Sequence, residues 1–239
     1  MRINQFISAS GYCSRREADA LVLAKKVKIN GRFADIGSQV GEKDRVEVEG
    51  KKIAMKKKHI YIALNKPAGI TCTTERHIKG NIIDYIGHNE RIFPIGRLDK
   101  DSEGLILLTS DGQIVNEILR EENQHDKEYR VKVDKKINQD FIEKMASGVT
   151  IFNPVKEKHE KTKPCRIMLV NDYEFTIVLS QGLNRQIRRM CEALGYNVTA
   201  LRRVRIMHIK LGKLKTGEWR YLADEEVRGL TKQRKHTKT

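Results

Sequence analysis

Gln181-Gly182-Leu183-Asn184-Arg185-Gln186-Ile187-Arg188-Arg189-Met190-Cys191-Glu192-Ala193-Leu194-Gly195 reads as an amphipathic helix entered from a turn. At roughly 100° per residue, Ile187, Met190, Cys191 and Leu194 share one face, and Arg185, Arg188, Arg189 and Glu192 share the other. The spacing predicts a helix from about 184 to 194, closed by Gly195. Its arginines crowd the first turns, where the aligned peptide dipoles are positive and carboxylates are preferred. Each cation there costs about 0.3–1 kcal/mol. Folding alone does not explain that choice. An anion brought to this end would meet free amides, the dipole and guanidinium groups together.

Residues 175–179 before this helix and 204–211 after it read as strands. Residues 129–133 alternate as another strand, and Asn138 is placed to cap a helix carrying Phe141 and Met145. Leu105-Ile106-Leu107-Leu108 is a short apolar run, read as a buried strand. A helix follows from about Asp111, with Ile114, Val115, Ile118 and Leu119 as its apolar stripe. Residues 61–64 form a strand that runs into Asn65-Lys66-Pro67-Ala68-Gly69, read as a turn from its Pro and Gly. Helices interspersed irregularly among strands point to an α+β fold with a mixed, mainly antiparallel sheet flanked by helices.

The N-terminal stretch reads helix, helix, hairpin. Ser14-Arg15-Arg16-Glu17 fits a capping box, in which Ser and Glu satisfy orphan amides at a helix start. Ala18, Leu21 and Val22 follow at helical spacing, and Asn30-Gly31 is a two-residue hairpin turn between 27–29 and 32–33. Residues 45–50 read as a strand. Lys56-Lys57-Lys58 then marks a boundary. The expected partition is a small module at 1–55, a linker at 56–59, a larger domain at 60–230 and a disordered basic tail at 231–239.

The chain has 239 residues, with 47 Lys+Arg against 31 Asp+Glu and a net charge of +16. Hydrophobic residues at 39% can fill a core. The longest stretch free of charge is 3–14, too short and too polar to span a membrane, so a soluble cytoplasmic protein is expected. Cys13, Cys72, Cys165 and Cys191 lie far apart, and the seven His are scattered, so reduced thiols and no metal site are expected. No Walker loop, G-x-G-x-x-G or G-x-S-x-G occurs, which leaves nucleotide hydrolysis and dinucleotide redox chemistry unsupported and implies no cofactor.

Arg15 and Arg16 repeat the anomaly of the 184–194 helix: cations at a helix start. At one helix, pairing with nearby Glu17 and Asp19 explains them equally well. Its recurrence in a chain of +16 favours phosphate backbones as the partner. Phe93-Pro94-Ile95-Gly96-Arg97-Leu98-Asp99-Lys100-Asp101-Ser102-Glu103-Gly104 is a polar loop directly before the buried strand. Loops held by rigid strands often carry function. By composition alone it reads as a solvated turn, since a lone Asp identifies no reaction.

Residues 96–105, Gly-Arg-Leu-Asp-Lys-Asp-Ser-Glu-Gly-Leu, resemble the G-R-L-D-x-x-[ST]-x-G-L signature of the RsuA/RluB/RluE/RluF family of RNA pseudouridine synthases. Four further elements resemble that family's in order: Asn65-Lys66-Pro67-Ala68-Gly69, Lys127-Glu128-Tyr129, 182–190 and Gly217-Glu218-Trp219-Arg220. Residues 1–50 resemble the α-L RNA-binding module that precedes the catalytic domain in this family. The wording of 93–104 and 181–192 is closest to the RluF branch, which acts on large-subunit rRNA.

The resemblance implies a pseudouridine synthase fold and a uridine isomerase. The bond from ribose carbon 1′ to uracil nitrogen 1 breaks, the base turns, and carbon 5 rejoins, with no cofactor or external energy. It implies Asp99 as the catalytic carboxylate, attacking carbon 1′ or abstracting a sugar proton to give a glycal. It also implies Arg188 as the partner of that carboxylate and Tyr129 as the residue stacking on uracil. A neighbouring guanidinium opposes the push toward neutrality that a closed pocket imposes on a carboxylate. Leu179 would line the pocket, and Arg97, Leu98, Lys100, Asn184, Arg185, Gln186 and Arg189, with Arg15 and Arg16 on the first module, would hold RNA. The implied partner is large-subunit (23S) rRNA, as a stem-loop whose uridine is swung out of its stack, and the protein is expected to be monomeric. The alternatives are a non-catalytic rRNA-binding ribosome-assembly factor, and a synthase acting on 16S rRNA or tRNA.

Overall fold

A computed structural model describes residues 1–56, 58–119 and 125–231. The expected basic tail lies outside these from residue 232 onward, as does Lys57 of the expected linker. The chain divides into two compact units. One holds Met1–Ile60, His88–Ile92 and Thr109–Gln113; the other holds Tyr61–Gly87, Phe93–Leu108 and the chain from Ile114 onward.

The first unit begins with α1 (Ile3–Ala9) and α2 (Arg15–Leu23), followed by β1 (Val27–Ile29), β2 (Arg32–Phe33), β3 (Val46–Val48) and β4 (Lys51–Ile53). The capping box is formed: the Glu17 amide donates to Ser14 Oγ at 3.2 Å, and the Ser14 amide donates to Glu17 Oε2 at 2.7 Å. Asn30 (φ 51°) and Gly31 (φ 83°) make the hairpin turn between β1 and β2, both in the left-handed region that such a turn needs. The antiparallel sheet has the order β2-β1-β3-β4. Ile3, Ile7, Ala18, Val22, Val27, Val46 and Val48 form its core. Strand β4 was not expected, because Lys51 and Lys52 are exposed on an edge and carry no apolar pattern.

From Tyr61 the chain forms β5 (Tyr61–Lys66), α3 (Ile82–Ile86), β6 (Phe93–Ile95), β7 (Glu103–Thr109), α4 (Gly112–Leu119) and β8 (Lys127–Val133). Then come α5 (Gln139–Ser147), β9 (Thr150–Asn153), β10 (Lys158–Lys161), β11 (Arg166–Asn171), β12 (Glu174–Leu179) and α6 (Gln186–Ala193). The last are β13 (Val198–Ile206), β14 (Ile209–Lys210), β15 (Trp219–Tyr221) and α7 (Asp224–Thr231). The main sheet runs β11-β12-β8-β13-β7-β5-β15, with β14 beside β13 and β6 beside β7. β13 pairs with β7 in parallel, while β11–β12, β12–β8, β8–β13 and β5–β15 are antiparallel. The fold is therefore α+β with a mixed sheet, as expected.

Two apolar clusters hold this sheet. Phe141, Met145, Ile187, Met190 and Cys191 of α5 and α6 pack on Val131, Phe175, Ile177 and Leu201. Ile114, Ile118 and Leu230 of α4 and α7 pack with Leu105, Leu107, Ile206 and Ile209. Each fully buried aliphatic side chain contributes about 1.5–3 kcal/mol. No helix among the described residues is long and apolar enough to cross a membrane.

Three local expectations need correction. Asn65 and Lys66 belong to β5, and the turn begins only at Pro67, because the sheet continues until proline removes an amide donor. The expected strand at 204–211 is a hairpin: β13 starts at Val198 and breaks at Met207, whose φ is 53°. The helix expected from 184 starts at Gln186, with Arg185 outside it as a left-handed cap (φ 50°). This last shift changes which carboxylates the arginines reach.

Candidate active site

The 96–102 loop leaves β6 and enters β7, so both of its ends are held by the sheet. Gly104 (φ 103°) pairs with Arg203 in the parallel β7–β13 ladder. A Cβ at Gly104 would lie 2.2 Å from the Arg203 carbonyl oxygen, so only glycine lets the strands meet this closely. That contact brings Arg203 against the loop.

Five groups pin the loop. Arg203 Nη1 donates to the Arg97 carbonyl at 3.4 Å. The Leu98 amide donates to Cys72 Sγ at 3.4 Å. The Gly69 amide donates to the Lys100 carbonyl at 2.7 Å. Lys66, fully buried, donates through Nζ to the carbonyls of Pro67 (2.8 Å), Ile70 (3.0 Å) and Lys100 (3.4 Å). Burial pushes the Lys66 ammonium below the usual lysine range, opposed by the charges of Cys72, Glu103, Asp101 and Asp99. Arg188 is the fifth, with Nη2 donating to the Asp101 carbonyl at 3.4 Å and Ser102 Oγ at 3.5 Å, and Nη1 donating to the Val198 carbonyl at 3.2 Å.

The loop carries two carboxylates. Arg185 holds Asp101 in a two-pronged pair at 3.1 and 3.3 Å, and its Nη1 lies 3.7 Å from Asp99 Oδ2. Arg188 Nη2 lies 3.2 Å from Asp101 Oδ2. Burial works to raise Asp101, but the hydrogen bond from Arg185 and the charges of Arg188 and Arg185 outweigh it and hold that carboxyl below the usual range. The expected Arg188–Asp99 pair is therefore corrected: Arg188 pairs with Asp101, and Arg185 stands beside Asp99. Because α6 starts two residues late, Arg185 occupies the left-handed cap and from there reaches both carboxylates.

A cleft of about 760 Å³ opens beside Asp99. Tyr129 of β8, Leu179 at the end of β12, Arg97, Asn184 and Arg185 line it together with Asp99. Arg203 lines it too, its Cζ 5.9 Å from the centroid of the Tyr129 ring. Leu98 and Gln186, expected to hold RNA, also line the cleft, though both are largely buried. Leu98 is 7% exposed and Gln186 4%. Gln186 Oε1 accepts from the Leu183 amide at 3.1 Å, so its amide group braces the turn into α6. Arg188 and Arg189 do not line the cleft. Arg189 donates to the Phe152 carbonyl and, at 3.2 Å, to Asn184 Oδ1. Lys100 is exposed outside the cleft.

Arg15 and Arg16 lie exposed on the first turn of α2 in the other unit. The carboxylates nearest in sequence are otherwise engaged: Glu17 by the capping box, and Asp19 by Asn4 Nδ2 at 2.9 Å.

Sequence reasoning missed Lys66, Cys72, Ser102 and Arg203. Lys66 sat inside a quoted motif but was read as turn. Arg203 left a signal, since in 201–206 it falls on the same strand face as buried Leu201.

Residues 60–193 match the model of the RNA pseudouridylate synthase family, and residues 1–46 match the S4 domain. The chain belongs to the RNA pseudouridylate synthase family. The synthase is 51% identical over 233 residues to the dual-specificity RNA pseudouridine synthase RluF of Salmonella typhi, covering 97% of this chain and 78% of that protein. It is 50% identical to RluF of Escherichia coli K12, covering 97% and 79%. It is 32% identical to the ribosomal large subunit pseudouridine synthase B of Bacillus subtilis, covering 96% and 95%. A solved pseudouridylate synthase superposes with a TM-score of 0.69 at 29% identity, covering 96% of this chain and 99% of that one. The synthase fold, the N-terminal RNA-binding domain and the RsuA/RluB/RluE/RluF resemblance thus stand as expected.

Proposed function

We propose that this synthase converts a specific uridine of large-subunit (23S) ribosomal RNA to pseudouridine, with Asp99 as the catalytic carboxylate. The observation that carries this is the Asp99 carboxylate on the wall of the cleft beside Arg185, with Tyr129 lining the same cavity. A uridine turned out of its stack enters the cleft, at a cost of a few kcal/mol that phosphate contacts offset. Tyr129 offers its ring to the base. Asp99, which stands beside Arg185 rather than Arg188, acts on carbon 1′ or on the sugar proton beside it. Arg188 positions the loop from behind, while Arg97, Asn184, Arg185 and Lys100 hold the flanking RNA. Residues 1–55, with Arg15 and Arg16, also grip the RNA, 56–59 join them to the catalytic part at 60–230, and the enzyme works as a cytoplasmic monomer. The large-subunit target is supported by the name of the Bacillus subtilis relative. The name "dual-specificity" of the RluF relatives supports a second RNA substrate, for which tRNA is the candidate.

The test is release of tritium from carbon 5 of uridine in a full-length 23S rRNA transcript. Wild-type protein releases label, and Asp99→Asn loses release by about a thousandfold or more while RNA affinity stays nearly unchanged. Wild-type release from Asp99→Asn refutes the role of Asp99. Release from tRNA or 16S rRNA but not from the 23S transcript moves the target, and tight binding with no release from any of them favours an assembly factor.

A further inference from the structure

Arg203 is only 4% exposed, yet it lines the cleft. Its Nε donates to the Leu105 carbonyl at 2.7 Å and its Nη1 to the Arg97 carbonyl at 3.4 Å. Both acceptors are neutral. Its Nη2 is buried without a hydrogen-bond partner. Leaving a buried donor without an acceptor is unfavourable, more so when it belongs to a charged group. Such a group calls for an acceptor that arrives with the ligand.

Position says which part of the ligand supplies it. Arg97 and Arg185, exposed where they line the cleft, suit the backbone phosphates. Arg203 lies deeper, against the Tyr129 ring and one hydrogen bond from the Asp99 loop. At that depth the acceptor is the base.

We infer that Arg203 Nη2 donates to a carbonyl oxygen of the turned-out uracil and stabilises the negative charge that gathers on the base when its bond to the sugar breaks. The inference rests on the synthase reading above. When the carbon 1′–nitrogen 1 bond breaks, its electron pair stays on uracil, spread over nitrogen 1 and both carbonyl oxygens. Carbon 5 then bonds to carbon 1′, and the proton it loses is matched by one taken up at nitrogen 1. Arg203 keeps all its protons throughout. A fixed donor aimed at developing charge in a water-poor site acts as an oxyanion hole does.

The experiment compares Arg203→Gln and Arg203→Lys with wild type on two full-length 23S rRNA transcripts, one made with uridine and one with 5-fluorouridine. Single-turnover loss of the starting N-linked nucleoside, a step common to both transcripts, is read by chromatography after nuclease digestion. Fluorine withdraws charge and makes the base a better leaving group, so it needs the donor less. Arg203→Gln is expected to lose about 100- to 1000-fold on the uridine transcript. Its loss on the 5-fluorouridine transcript is smaller by about tenfold, the effect of one unit of leaving-group pKa. Arg203→Lys keeps the charge and falls between, with the same dependence on the base, and it carries the test if the Gln variant does not fold. A purely structural role costs both transcripts equally, and equal losses with an active wild type overturn this inference alone. A wild type that leaves uridine unchanged in the 23S transcript, in 16S rRNA and in tRNA overturns the synthase reading together with it, and activity on one of the others carries the same comparison to that RNA.

Discussion

Gly104 shows how one residue sets the site. The missing side chain lets β7 and β13 touch, and that contact holds Arg203 against the Arg97 carbonyl and so against the loop of Asp99. Gly104→Ala meets both a backbone clash and a positive φ. It is expected to destabilise the protein by about 3–5 kcal/mol, from strain and forced strand separation. Thermal unfolding should fall by about 10 °C, and a shift below about 2 °C would contradict the close approach. Glycine in this motif was visible in the sequence; its reason was not, because the atom it avoids lies 99 positions away in the chain.

The element that organises the chemistry is α6, through its start. Arg185 sits on the cap facing Asp99 and Asp101, and Arg188, from the first turn, ties together Val198, Asp101 and Ser102. Arg188→Met removes those ties without touching the cleft, so the loop loosens while RNA still binds. The expected result is a fall in kcat of about 100-fold with KM for RNA little changed, since small misplacements of a reacting group cost that much. Arg188→Lys does not restore kcat, because one ammonium cannot serve three directions at once. A change confined to KM would show that Arg188 contacts RNA instead. The helix was legible from its period of apolar residues. Its first residue was not, since the periodicity of the apolar face is blind to a single left-handed cap.

Over the whole molecule the charge of +16 has a partner in RNA phosphates. Arg15 and Arg16 project from the S4 domain, exposed and beside carboxylates that are already engaged. Replacing both with Gln should reduce the slope of log affinity against log salt by about 1 to 2, one released counterion or slightly less per lost contact. Turnover at saturating RNA should stay near wild type. A salt slope identical to wild type would remove these two arginines from the RNA-binding surface.

Local order was legible in the chain because its causes are local. Ser14 and Glu17 cap a helix three residues apart, Asn30-Gly31 supplies two adjacent positive φ angles, and Ile187, Met190 and Cys191 recur at the pitch of one helix. Five ordered motifs likewise carried the family. Only the tertiary structure decided who partners whom: Arg185 rather than Arg188 beside Asp99, Gln186 bracing the Leu183 amide, and Lys66 and Arg203 buried beneath the loop. Periodicity tells which face a side chain occupies. Ion pairs and hydrogen bonds depend on ångström distances between segments far apart in the chain, and those exist only after the sheet has closed.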